Sequence, residues 1–155
     1  FYIRITRKVT DRIFEEGSTF EIGKAATLRE GNDVTLITSG FCTSDTLKAA
    51  DILAEQGISA RVLNMFTWKP IDKEAICAAA EQTGAIVTVE NHNIVNGLGS
   101  AVSEVVGEYC PVPMKRIGVP DVFGEVGSID HLKQIFHMTV DDIVCAAKET
   151  ISRKA

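Results

Sequence analysis

Cysteines are few in this chain and stand far apart. Cys42, Cys77, Cys110 and Cys145 form no CxxC pair and have no histidine at ligand spacing, so neither a zinc site nor a disulfide framework is indicated. Reduced thiols in a cytoplasmic protein are the expectation. A basic surplus is missing too: 16 Lys and Arg against 21 Asp and Glu leave a net charge of −5. The cations are scattered, so there is no electrostatic footprint for nucleic acid. No apolar run approaches the ~20 residues that span a bilayer, and the first residues lack the cleavage pattern of a signal peptide. The chain shows no internal repeat and no low-complexity segment. Its 155 residues suit one domain. An initiator Met is absent, and Phe1, Ile3 and Ile5 alternate with Tyr2, Arg4 and Thr6 as though the chain opened inside a strand. A fragment of something longer is expected.

What is present alternates between strand and helix signals. A linker is expected over Thr10 to Ser18, a short edge strand over Thr19 to Ala26, and a turn at Leu28 to Asn32. Val34 to Thr38 and Ala60 to Met65 read as buried strands. Between them Ser44 or Asp45 is expected to cap a helix that Gly57 stops. Asp72 caps a second helix that ends at Gly84. Ile86 to Val89 is a short β-branched run suited to a strand covered on both faces. A helix opens at Gly97-Leu98-Gly99, and Val112 to Ile117 forms a later strand. Ser128 caps a short helix, and Thr139 with Asp142 makes a capping box for the last one. Parallel strands need helical crossovers, so the pattern predicts an α/β three-layer sandwich. Its mostly parallel central sheet should have about five strands and an antiparallel edge strand.

Glu90, Asn91, His92 and Asn93 then fall beyond the carboxyl end of a central strand, where ligands and partners bind in open α/β sheets. Glu90 and His92, two apart, are the right types for an acid–base pair, yet no nucleophile accompanies them, and capping of backbone groups is the favoured reading. Gly97-Leu98-Gly99 could open a dinucleotide fingerprint, but Val102 stands where a third Gly or Ala is wanted. Gly97, Gly99 and the neighbouring Asn96 suit tight loop packing at an interface instead. Phe66 and Trp68, after a strand, are either core lids or interface anchors. Arg7 closes the opening strand, and its planar charged fork suits a phosphate or carboxylate as well as it suits bare surface. His131, His137, Asp121, Asp130, Asp141 and Asp142 read as structural or capping groups.

The succession FYIRITR, FEIGKAATLREGNDVTLITSG, ISARVLNMFTWKPID, TGAIVTVENHNIVNGLGSAV and PVPMKRIGVPDVFGEVGS resembles the C-terminal part of transketolases, most closely the C-terminal subunits of split transketolases. It covers nearly the whole chain in one order. Relatives in this family include 1-deoxyxylulose-5-phosphate synthase and the beta subunits of 2-oxo acid dehydrogenases. The resemblance implies that residues 1–18 supply the last strand of a pyrimidine-binding domain plus a linker, and that 19–155 are the family's C-terminal domain.

It further implies a dimerising scaffold of an enzyme that moves a two-carbon ketol unit between sugar phosphates. Thiamine diphosphate and Mg²⁺ would be held by diphosphate- and pyrimidine-binding domains, as part of this chain's protein or as another subunit. The GDG…Asn metal motif of those domains is absent here, and so is their catalytic Glu. The fragment itself is therefore expected to be inactive, with no cofactor or metal of its own. Transketolases end the opening strand with Ser-Arg-Gln, whose Arg holds the substrate phosphate. Thr6-Arg7-Lys8 stands in that place and makes Arg7 the candidate, with Arg4 second because the synthases carry an Arg at both positions. A free-standing module binding a small acidic ligand or nucleotide at the Glu90 to Gly99 edge is the rival from another class.

Overall fold

The computed structural model describes residues 1–7 and 9–154. Ten elements alternate: β1 (Ala26–Arg29), β2 (Val34–Thr38), α1 (Cys42–Glu55), β3 (Ala60–Asn64), α2 (Lys73–Thr83), β4 (Ile86–Asn93), α3 (Leu98–Tyr109), β5 (Met114–Val119), α4 (Ile129–Ile135) and α5 (Val140–Ile151). They form one sheet in the order β1-β3-β2-β4-β5. β2, β3, β4 and β5 run parallel, while β1 joins β3 antiparallel at the edge. This is the predicted sandwich. Side chains alternate along each strand, so Leu36, Val62 and Val87 enter an apolar cluster with α1 and α5. Ile37, Leu63 and Ile86 enter a second cluster with α2 and α3 on the opposite face. All six are at most 2 % exposed, as strands covered on both sides require.

Local signals fix several elements. The Asp72 side chain accepts from Ala75 N at the start of α2, and Gly84 ends that helix at φ 64°. Ser128 caps α4, and Thr139 and Asp142 form the full reciprocal box that opens α5.

Other expectations need correction. The edge strand lies at Ala26–Arg29 rather than over Thr19 to Ala26, because pairing with β3 carries the chain straight through the predicted turn at Leu28. The turn comes earlier, where Lys24 N bonds Glu21 O. Helix α1 begins at Cys42 without a side-chain cap, so neither Ser44 nor Asp45 caps it. Asp45 is instead committed to Lys133 of α4 at 2.5 Å. β5 starts at Met114 rather than Val112, where Ile86 finds its partner. The alternating opening segment takes no place in the sheet. Phe1, Ile3 and Ile5 are exposed, and a strand is not stable without a neighbour to complete its ladder.

Candidate functional site

Because β2, β3, β4 and β5 are parallel, the loops that follow them gather at one carboxyl edge. The chain moves outward from β2 to β3 in one direction and from β4 to β5 in the other. A crevice for ligands therefore falls between the ends of β2 and β4. Gly40 and Asn91 flank it so closely that a Cβ on Gly40 would sit 3.2 Å from Asn91 Oδ1. Arg4 of the opening segment reaches this point and donates from Nη2 to the Asn91 carbonyl at 2.9 Å. Arg7 is exposed, and its neighbour Lys8 lies outside the described residues.

β4 does not stop at Val89. Its pairing with β5 shifts register between Val89 and Asn93, then resumes at Asn93 opposite Val119. Alternation along β4 places Glu90 on the same face as Ile86 and Thr88, toward α3, and it has no exposed surface. The carboxylate accepts from Leu98 N at 2.7 Å and from Gly99 N at 2.8 Å. These are two of the free amides at the start of α3, where a negative charge is favoured. Burial pushes the Glu90 carboxyl above its ordinary value. The Gly99 and Leu98 amides, then His92 and Arg116, pull the other way.

Three glycines shape the clasp. A Cβ on Gly97 would meet Glu90 Oε2 at 2.0 Å, one on Gly99 would meet Arg116 Cδ at 2.7 Å, and one on Gly118 would meet the His92 carbonyl at 2.9 Å. Arg116 continues the bracing by donating to Ile94 O at 2.9 Å. Asn96, at φ 61°, occupies the left-handed region that Asn tolerates better than most residues. Its amide donates to Ser100 Oγ.

This arrangement decides between the two readings of Glu90 and His92. The carboxylate faces α3, while the His92 ring meets the Asn93 carbonyl at 2.8 Å and stands edge-on to Trp68 with ring centres 6.0 Å apart. They form no acid–base pair. The place where a phosphate would sit on a glycine-opened helix is filled by the protein's own carboxylate, so a second anion there would face like charge. Glu90, Gly97 and Gly99 are buried within the chain. Any part they take in an interface passes through the loop they hold.

The outer rim is apolar. Phe66 is 37 % exposed and packs edge-on against Phe20 at 5.2 Å. Trp68 is half-buried against the α2–α3 cluster. Val95, Val122, Phe123 and Val126 are also exposed, Phe123 almost completely. Sequence reasoning missed Val122, Phe123 and Val126, a short pair and a single residue among Gly, Pro and acidic residues that give no periodic signal. Arg116 and Gly118 were missed because their roles depend on β5 lying beside β4. Among the described residues no three His, Cys, Asp or Glu side chains gather to hold a metal ion, and no helix is long and apolar enough to cross a membrane.

Comparison with known proteins gives this geometry a family. The family model of the transketolase C-terminal domain matches residues 23–143. The subunit SqwH of a 6-deoxy-6-sulfo-D-fructose transketolase from Clostridium sp. (strain MSTE9) is 51% identical over 153 residues, covering 99% of this chain and 48% of that protein. A 1-deoxy-D-xylulose-5-phosphate synthase from Heliobacterium modesticaldum is 40% identical over 138 residues, 87% of this chain and 21% of that protein. Among solved structures, a split gene transketolase described as an inactive beta4 tetramer superposes with a TM-score of 0.93 at 40% identity, covering 96% of this chain and 49% of that one. The chain thus spans about half the length of its split-transketolase relatives. Sheet order, helix placement and sequence agree, and the chain belongs to the transketolase C-terminal domain family.

Proposed function

We propose that this chain is the assembly domain of a thiamine diphosphate-dependent transketolase, in which a two-carbon ketol unit passes from a ketose phosphate to an aldose phosphate. The observation that carries the reading is the clasp. Glu90 fills the anion position at the α3 start and shapes a rigid loop, while the apolar side chains of the same edge point outward. A site built to bind a nucleotide or diphosphate would leave those amides open. A site built to dock another protein surface uses a stiff loop and exposed apolar anchors.

The residues of this chain do not fit the coenzyme, because α3's amides are taken and no set of side chains gathers for Mg²⁺ among the described residues. In this proposal thiamine diphosphate and Mg²⁺ are held by diphosphate- and pyrimidine-binding domains outside the chain, and the isolated chain is inactive. The bound coenzyme supplies the carbanion chemistry. Residues 1–18 complete the pyrimidine-binding domain and lead into residues 19–155. The exposed alternation of Phe1, Ile3 and Ile5 fits a strand completed by a neighbouring sheet. Arg7, with Arg4 as the second candidate, contributes a fork for the substrate phosphate. The whole enzyme is a homodimer of such assembled units.

Reconstitution with the partner domains tests the reading. Ketol transfer is expected with xylulose 5-phosphate plus ribose 5-phosphate, or with 6-deoxy-6-sulfofructose as donor. Condensation of pyruvate with glyceraldehyde 3-phosphate instead would move the chain to the synthases, the second reading that the H. modesticaldum protein supports. Calorimetric titration of the isolated chain with thiamine diphosphate and Mg²⁺ should give no heat, and tight binding there would overturn the division of roles.

A further inference from the structure

Helices α2 and α3 lie together on one face of the sheet, and two contacts fix which of their side chains meet. Lys73 Nζ stands 3.3 Å from the Tyr109 hydroxyl and 4.8 Å from the centre of its ring. Ala80 and Glu81 share with Cys110 the wall of a shallow cleft of about 170 Å³. Positions 73, 77, 80 and 81 make one stripe of α2, a turn apart. Cys77 is therefore the rung between the two contacts, and Cys110, next in chain to Tyr109, is the group across from it. Both cysteines are half-buried and pack against the same apolar cluster.

The Cys110 thiol, whose Sγ donates to the Val105 carbonyl at 4.0 Å, is pushed up to about 12, first by burial, then by the neighbouring Cys77 thiol, and last by Glu81. Cys42 belongs to the cluster on the other face of the sheet, and Cys145 lies exposed on α5. Among the described residues nothing completes a metal-binding set around the two sulfurs.

We propose that Cys77 and Cys110 are a redox-active dithiol that a low-molecular-weight disulfide converts into a bond stapling α2 to α3. One cysteine thiolate attacks a sulfur of the small disulfide, forming a mixed disulfide and expelling one small thiolate. The second cysteine attacks the protein-side sulfur of that mixed disulfide and expels the other. The protein loses two electrons and two protons, and the small disulfide is reduced to two thiols. Burial of Cys110 as the neutral thiol makes the exchange slow at neutral pH, so the pair responds to sustained oxidation rather than to brief fluctuation. The staple ties down the far end of the helix whose start is held by Glu90.

The test uses the full protein that carries this chain, folded, equilibrated over a series of reduced-to-oxidised glutathione ratios, alkylated and digested with trypsin. The peptide spanning 74–115 contains Cys77 and Cys110 and no other cysteine. At oxidising ratios it should be recovered unalkylated and lighter by two hydrogens, and reductant should restore it. Cys77→Ser or Cys110→Ser should leave a stable glutathione adduct on the remaining cysteine. The closed protein should melt several degrees above the reduced one, a difference lost in Cys77→Ser. Full alkylation of this peptide at every ratio, or two separate glutathione adducts without closure, would overturn the proposal.

Discussion

Replacing Gly97 by Ala tests the clasp directly. Gly97 has φ −100° and ψ −158°, an extended conformation open to any residue, so space alone forbids a side chain. The new Cβ would stand 2.0 Å from Glu90 Oε2 and 2.8 Å from the Asn93 carbonyl. The carboxylate must retreat by roughly 1 Å or more to reach ordinary contact, and in doing so it leaves Leu98 N, now 2.7 Å away. Losing a hydrogen bond to a charged group costs about 1.5–3 kcal/mol. Overpacking adds about 1–3 kcal/mol, and the stiffer unfolded chain returns about 0.4–1 kcal/mol. The net is a loss of about 2–5 kcal/mol.

Gly107 is the internal control. It lies on the same helix, exposed, and a Cβ added there would meet nothing within 4 Å. There Ala should gain about 0.5–1 kcal/mol. At about 2–4 °C per kcal/mol for a domain of this size, thermal unfolding should show Gly97→Ala falling by roughly 4–20 °C while Gly107→Ala rises slightly. In a Glu90→Ala background the methyl group finds room, and the loss from Gly97→Ala should shrink by at least about 1 kcal/mol. Equal losses in both backgrounds would refute the clasp.

Glu90 also predicts a pH dependence. Its folded-state carboxyl titrates above the ordinary 4.5, so the folded chain binds that proton more tightly than the unfolded one. Its contribution to stability is then largest below about pH 4.5 and falls as pH rises through the folded pKa. Glu90→Gln carries no such loss, so the stability gap between wild type and variant should narrow with rising pH in denaturant titrations; a widening gap would contradict the sign. Asp72 holds two amides at once, Ala75 N at 3.0 Å and Ala25 N at 2.9 Å. Asp72→Ala should cost about 2–4 kcal/mol and speed amide exchange at Ala25, whereas loss of the helix cap alone would leave Ala25 protected. In the assembled enzyme Arg7→Ala should raise KM for phosphorylated substrates more than for unphosphorylated ones, and equal effects would remove the phosphate role.

The parts of this fold legible in its sequence are those decided within a few residues. Asp72, Gly84, Ser128 and the Thr139–Asp142 box act on backbone groups next to them in the chain, so their chemistry can be read off their spacing. The errors fall where a distant neighbour decides. Leu28 and Arg29 look like turn residues, yet they form a strand because β3 offers an open edge. Asp45 looks like a cap, yet Lys133, 88 positions away, claims it. Phe1, Ile3 and Ile5 have the period of a strand but lie outside this chain's sheet, so their strand waits on a neighbour. Pattern gives the capacity for an element, and a partner decides whether it forms.

The carboxyl edge follows the same logic and shows why its role could not be settled by motif. Gly97-Leu98-Gly99 can open a helix for a bound phosphate or for a buried carboxylate, since both use the same amides and the same lack of side chains. The outcome turns on Glu90, which the alternation of β4 aims at α3 and which takes the Leu98 and Gly99 amides eight and nine residues on in the chain. With Glu90 on the Leu98 and Gly99 amides, the start of α3 retains shape and neighbouring apolar surface but offers those amides to no second anion. On the proposed reading such a domain serves the enzyme by where it holds its neighbours, and substitutions at Phe66 or Phe123 should therefore weaken assembly while leaving the fold of the domain intact. Analytical ultracentrifugation of Phe123→Ser beside its thermal melt separates the two: dissociation with an unchanged melt is expected, and an unaltered assembly would show that this rim docks nothing.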